Sequence, residues 1–202
     1  MKDLVNCLSF IASPWREIVF AFLFSLVLYS SVLIIGFVFG KLEQMLYKMF
    51  SKFVGQKLAD IICNRVTVVG VVIHEYAHAL SAFIFGAKVH KIRVFDIFKG
   101  NQLGHVEFSV RGNRLQKDVQ LVFTSCAPVI AGLFVLYLSA FVLLPRAVMW
   151  WQYVLLGYLI VAMICHISMS DVDIKNYLRG LVFVFPFTVF VMFGITRLFF
   201  VY

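Results

Sequence analysis

The stretch that decides the fold is "VTVVGVVIHEYAHALSAFIF", residues 66 to 85. As a helix it is long enough to cross the hydrocarbon core of a bilayer, which takes about 20 residues. Two histidines and a glutamate lie inside this apolar run. An ionisable residue near the bilayer centre costs about 2.5–3.5 kcal/mol on insertion scales, so such residues usually have partners and functions. The stretch therefore predicts a membrane helix whose polar face meets a metal ion or an aqueous cavity.

The composition of the whole chain supports a membrane setting. Of 202 residues, 62% are hydrophobic and only 14% are charged, whereas soluble domains are about 45–50% apolar and about 25% charged. The net charge of +8 comes from basic residues placed between apolar runs, a pattern that favours lipid headgroups over nucleic acid. We therefore expect the lipid bilayer as a partner, no nucleic acid, and one domain covering residues 1–202.

Apolar runs long enough to span the bilayer occur five times along the chain. They are residues 18–39, 66–85, 121–144, 147–169 and 181–200. The predicted fold class is an all-α polytopic membrane protein with about five transmembrane helices.

Two segments between these runs differ in kind. Residues 41–57 carry apolar side chains at a helical period with lysines opposite, which predicts an amphipathic helix at the membrane interface or packed against the bundle. Residues 87–110 contain two short β-branched stretches separated by "KGNQLG", which predicts a small membrane-proximal β-hairpin.

The basic residues also predict an orientation. Placing the N-terminus inside collects more of them on the cytoplasmic side, as the positive-inside rule favours. The expected localisation is a multi-pass protein of a bacterial cytoplasmic membrane. The hairpin and residues 170–180 then lie on the cytoplasmic side.

His74, Glu75 and His78 form an H-E-x-x-H motif. Histidines four residues apart project from one face of a helix and can bind one tetrahedral Zn²⁺. Glu75 lies about 100° round the helix, where it can take a proton from a water that the metal activates. The motif predicts a zinc site with Glu75 as general base.

A transmembrane H-E-x-x-H followed by a hairpin and further spans resembles the site-2 protease family of intramembrane zinc metalloproteases. The resemblance covers residues 66 to 181, and only the motif is a specific match. It implies hydrolysis of peptide bonds in a membrane-anchored protein or peptide, within or beside the bilayer. It also implies that His74 and His78 are ligands and that Glu75 is catalytic. It leaves the oligomeric state open.

The third ligand is predicted within "HISMSDVDIKNYLRG", residues 166–180. The family supplies an aspartate from a later span, often in an Asp-Gly pair, which this chain lacks. Ser170 and Asp173 are similar to a Ser-x-x-Asp arrangement of compact relatives, so Asp173 is the expected ligand, with Asp171 or His166 as alternatives. The same spacing also fits a helix N-cap with an acidic first turn.

Two other functions are compatible with the motif. The first is a non-proteolytic zinc-binding membrane protein, a degenerate protease that acts as a scaffold or partner. The second is another type of membrane zinc protease that uses a downstream glutamate as ligand. After Glu75 the only glutamate is Glu107, inside the predicted hairpin, which argues against the second.

Overall fold

The computed structural model describes residues 15–94 and 104–200, which are mostly helical with one two-stranded sheet. The helices and strands, in chain order, are α1 (Trp15–Val54), α2 (Gln56–Asp60), α3 (Val68–Ile84), β1 (Lys88–Arg93), β2 (His105–Ser109), α4 (Arg114–Tyr137), α5 (Trp150–Ile164) and α6 (Asp171–Phe200). A π-helical turn, Ile61–Val66, joins α2 to α3. A second one, Leu138–Leu143, prolongs α4 and is followed by a 3-10 turn, Leu144–Arg146. The predicted helical class with a small sheet is confirmed.

Among the described residues, three helical segments are long and apolar enough to cross a membrane: Trp15–Val54, Arg114–Arg146 and Asp171–Leu198. A fourth arises if Gln56–Cys63 and Val68–Ile84, which meet at 51°, count as one broken span. The fifth predicted span corresponds to α5. Its 15 residues extend about 22 Å, less than the roughly 30 Å of the hydrocarbon core. A total of five spans therefore stays a prediction.

The segment predicted as an amphipathic helix over residues 41–57 is helical up to Val54, but it continues α1 without a break. The sequence between the first apolar run and this segment contains one helix-weakening residue, Gly40, which costs only about 1 kcal/mol in a helix. The helix ends where Gly55 takes a positive φ of 81°. Whether the segment lies at the membrane interface stays a prediction.

The predicted hairpin strands are present as an antiparallel pair, with Lys88 opposite Ser109 and an irregularity between Val89 and Lys91. Residues 95–103, which include most of the predicted turn, lie outside the described residues. The chain enters β1 through Gly86, whose φ of +83° ends α3. There the N–H of Ala87 donates to the Ala82 carbonyl at 2.8 Å, the long bond of a Schellman cap.

Helix α6 packs closely against both α4 and α1. A side chain at Gly180 would lie 2.6 Å from the backbone oxygen of Asp118, so glycine permits the close approach of α6 to α4. On the other side, the Tyr177 hydroxyl donates to the backbone oxygen of Tyr29 at 3.0 Å. These contacts fix the first turn of α6, where Asp173 lies, beside the histidines of α3.

Candidate metal centre

The structure brings Asp173 together with His74 and His78. One ligand atom from each residue lies within 4.8 Å of the other two. Within residues 15–94 and 104–200, no other group of three His, Cys, Asp or Glu side chains is placed to hold a metal ion. The Nε2 atoms of the two histidines are 3.2 Å apart, and Oδ1 of Asp173 is 3.6 Å from Nε2 of His78. This cluster can hold a metal ion.

Both histidine rings are oriented by backbone carbonyls. Nδ1 of His74 is 2.7 Å from the carbonyl oxygen of His166, and Nδ1 of His78 is 2.8 Å from that of Thr124. Because a carbonyl only accepts, each ring carries its proton on Nδ1 and donates it there. In the neutral rings both Nε2 atoms then present lone pairs. Outer hydrogen bonds of this kind fix the tautomer that a metal ligand needs.

The donor set fits Zn²⁺. Tetrahedral zinc with Zn–N distances of about 2.0–2.1 Å places two imidazole nitrogens about 3.3 Å apart, close to the observed 3.2 Å. Two lone pairs that face each other at this distance repel unless a cation lies between them. Two nitrogens and one carboxylate leave a fourth position open, as in catalytic zinc sites.

Asp173 takes part in the N-terminal cap of α6 with one carboxylate oxygen and faces the histidines with the other. Its Oδ2 accepts from the backbone N–H and the hydroxyl of Ser170, at 3.1 and 2.6 Å. The N–H of Asp173 lies 3.1 Å from the Ser170 hydroxyl oxygen. These bonds make a reciprocal cap and leave Oδ1 for the cluster. The capping interpretation of Ser170 and the ligand interpretation of Asp173 are therefore compatible.

The two alternative ligands lie elsewhere. Asp171 is exposed, and because residues two apart on a helix differ by about 200° in direction, it cannot share the inward face with Asp173. The His166 ring turns away from the cluster, with Nε2 2.8 Å from the Thr67 hydroxyl. His166 thus contributes only its backbone carbonyl, which accepts from His74. Helix α6 reaches the cluster because it begins at Asp171, ten residues before the apolar run predicted over residues 181–200.

The carbonyl of Thr124 is available to His78 because of a proline. Thr124 and Pro128 both lie within α4. In a helix the carbonyl of residue 124 would accept from the N–H of residue 128, which proline lacks. The freed oxygen accepts from His78 instead. A proline inside a predicted helix is the sequence signal for such a carbonyl, because it frees the acceptor four residues before it.

Gly70 permits the corresponding contact on the other side of α3. It lies one turn before His74, and a side chain there would collide with the backbone of Ala162 and the ring of His166. The absence of a side chain lets the end of α5 approach α3 closely, so the His166 carbonyl reaches His74. Sequence reasoning missed this role, since a lone glycine in an apolar helix does not reveal its neighbour.

Glu75 lies beside the cluster and is 7% exposed. It lines a cleft of about 250 Å³ together with both histidines, Asp173 and residues of β2. A second, adjoining cleft of about 190 Å³ shares His74 and Glu75 and extends to Glu43. A side chain at Gly104, which precedes β2, would lie 3.0 Å from Cγ of Glu75. Glycine at this position therefore leaves the space that the Glu75 side chain occupies.

Comparison with known proteins finds no match to this chain among protein-family models, curated proteins or solved structures.

Proposed function

We propose that the chain is an intramembrane zinc metalloprotease similar to the site-2 protease family. The observation that carries the proposal is the convergence of His74, His78 and Asp173 in a cleft that Glu75 also lines. Two histidines and a carboxylate with an open fourth position are typical of hydrolytic zinc sites. A glutamate next to the first histidine is the general base of such sites.

Zn²⁺ held by these three residues would supply Lewis-acid chemistry, lowering the pKa of a water and polarising a peptide carbonyl. Glu75 accepts a proton from the attacking water and donates it to the amide nitrogen as the C–N bond breaks. The carbonyls of Thr124 and His166 keep both imidazoles in the tautomer that presents Nε2. Ser170 holds the Asp173 carboxylate in place through Oδ2.

The hairpin supports a role in substrate binding. Among the described residues β2 pairs only with β1, and residues of β2, including Val106 and Phe108, line the cleft. An extended peptide can add to a strand edge through main-chain hydrogen bonds. A helical membrane segment would unwind to do so, and its peptide bonds would become open to attack. The proposed substrate is therefore a membrane-anchored protein or peptide.

The proposal includes a topology. It counts α3 and the shorter α5 as spans beside the three longer segments, which gives five spans in a bacterial cytoplasmic membrane with the N-terminus inside. One feature supports α3 as a span: the ionisable residues His74, Glu75 and His78 lie within it, and burial of such residues in a membrane needs partners. The cleft beside β2 then opens toward the cytoplasm.

The direct test replaces Glu75 by Gln in the full-length protein and measures zinc content and cleavage of single-span reporter proteins in liposomes. Wild type should bind zinc and cleave a reporter, Glu75→Gln should bind zinc without cleaving, and His74→Ala should lose both. Full cleavage by Glu75→Gln would refute the proposed base. Zinc binding by wild type with no cleavage of any reporter would favour the non-proteolytic alternative.

A further inference from the structure

One face of α1 is built to hold the segment of residues 165–170, which connects α5 to α6. Gly36, Gly40 and Glu43 follow one another at spacings of four and three residues, so they share a helix face. A side chain at Gly36 would lie 3.0 Å from Cγ of Met169. One at Gly40 would lie 3.5 Å from Cβ of Ser168. The two glycines therefore bring the backbone of α1 close to this segment.

Glu43 adds a specific polar contact to this close packing. The Ser168 hydroxyl donates to Oε2 of Glu43 at 2.6 Å, a length typical of a hydrogen bond to a carboxylate. The contact joins two residues 125 positions apart in sequence. Small residues alone indicate ordinary helix packing, whereas a carboxylate aimed at one hydroxyl of the connecting segment fixes that segment in one register.

The connecting segment carries two groups that orient the metal ligands. The carbonyl of His166 accepts from His74, and Ser170 holds Oδ2 of Asp173. Ser168 lies midway between them, two residues from each. A displacement of Ser168 therefore moves the supports of two different ligands, one on α3 and one on α6.

We propose that Glu43 is a positioning residue of the metal centre: by holding Ser168 it keeps His166 and Ser170 where they orient His74 and Asp173. Glu43 acts from α1, a helix that supplies no ligand to the cluster. It also lines the cleft that contains His74 and Glu75, so a movement of α1 changes both the ligand supports and the cleft. This inference rests on the proposed metal centre but not on proteolysis.

The test measures metal binding by the full-length protein in detergent micelles. Zn²⁺ affinity is determined by competition with a chelator, and Co²⁺ is used as a second probe because its absorption spectrum reports ligand geometry. The variants are Glu43→Ala, Ser168→Ala, their combination and Glu43→Gln. Tyr47→Phe is the matched control, because it removes a hydrogen bond from the next turn of α1, to Asp60 at 2.9 Å.

We expect Glu43→Ala and Ser168→Ala each to weaken Zn²⁺ binding about tenfold and to change the Co²⁺ spectrum. Loss of a residue that orients metal ligands from outside the coordination sphere typically has an effect of this size. The double variant should be no weaker than either single variant, because both remove the same contact. Glu43→Gln should bind within about threefold of wild type, since its amide oxygen still accepts. Tyr47→Phe should match wild type.

Three results would overturn the inference. In the first, Glu43→Ala folds and binds both metals as wild type does while wild type itself binds zinc, which refutes the positioning role and leaves the metal centre intact. In the second, Tyr47→Phe weakens binding as much as Glu43→Ala, which shows a general effect of disturbing α1. A wild type that binds neither metal refutes the metal centre itself, and this inference with it.

Discussion

His78 donates a hydrogen bond from Nδ1 to the carbonyl oxygen of Thr124 at 2.8 Å, across the interface between α3 and α4. The carbonyl has no competing donor at the usual helical position, because residue 128 is proline. A hydrogen bond that is missing within one helix thus provides the acceptor that orients a candidate metal ligand on another. Two of the predictions below concern groups of this kind, which hydrogen-bond to a side chain of the metal cluster.

The role of Pro128 predicts the effect of Pro128→Ala. Alanine restores the N–H that competes for the Thr124 carbonyl, so His78 loses part of its fixed orientation, and Zn²⁺ affinity should fall by about three- to tenfold. Pro186→Ala is the matched control, because Pro186 also lies inside a helix, α6, but 13 residues beyond Asp173. Chelator competition measures both. Equal affinities of the two variants would show that the freed carbonyl does not matter.

The ligand assignment predicts opposite results for two neighbouring aspartates. Asp173→Ala removes a ligand and should lower Zn²⁺ affinity by at least about 100-fold, more than loss of an outer partner costs. Asp171→Ala, at an exposed position, should bind within about twofold of wild type. Metal titration of both variants checks this. The reverse order would identify Asp171 as the ligand.

The cap at the start of α6 predicts a linked loss of stability and metal binding in Ser170→Ala. Loss of an N-cap hydroxyl typically costs about 1 kcal/mol, and Asp173 loses the hydroxyl bond at Oδ2. Thermal unfolding of the metal-free protein should therefore occur at a lower temperature. Zn²⁺ affinity should fall about tenfold. A destabilised variant with unchanged zinc affinity would restrict Ser170 to capping.

The space beside Glu75 predicts a variant that separates catalysis from metal binding. In Gly104→Ala the new methyl group lies 3.0 Å from both Cγ of Glu75 and the Arg93 carbonyl oxygen, so the glutamate side chain must shift. Misplacement of a catalytic group by about 1 Å can cost on the order of 100-fold in rate. Cleavage of a reporter should fall by at least tenfold, while zinc content stays at the wild-type level.

Gly157→Ala is the control for this change, since nothing lies within 4 Å of a side chain at Gly157. It should cleave as wild type does. Loss of zinc from Gly104→Ala, or unchanged cleavage, would argue against the assigned position of Glu75.

Local pattern was sufficient for the parts of the molecule that depend on local chemistry. The H-E-x-x-H spacing predicted two histidines on one helix face, and β-branched alternation predicted the strands on either side of residues 95–103. The Ser170–Asp173 spacing predicted a helix start, which the structure confirms at Asp171. Each of these depends on residues within one or two turns of each other.

Tertiary features could not be predicted in the same way. The carbonyls that orient His74 and His78 come from residues 92 and 46 positions away, and any residue type supplies a carbonyl. The contact between Glu43 and Ser168 depends on how α1 crosses the connecting segment. The continuity of α1 and the short length of α5 likewise follow from packing, because apolar composition alone does not set where a helix ends.

The most direct test of the account is the zinc stoichiometry of the purified full-length protein, measured by elemental analysis beside His74→Ala, His78→Ala and Asp173→Ala. The account predicts about one zinc per chain in wild type, removable by a chelator and restored by added Zn²⁺, and little or none in the three variants. A wild type that takes up no zinc, or three variants that retain it, would contradict the proposed metal centre.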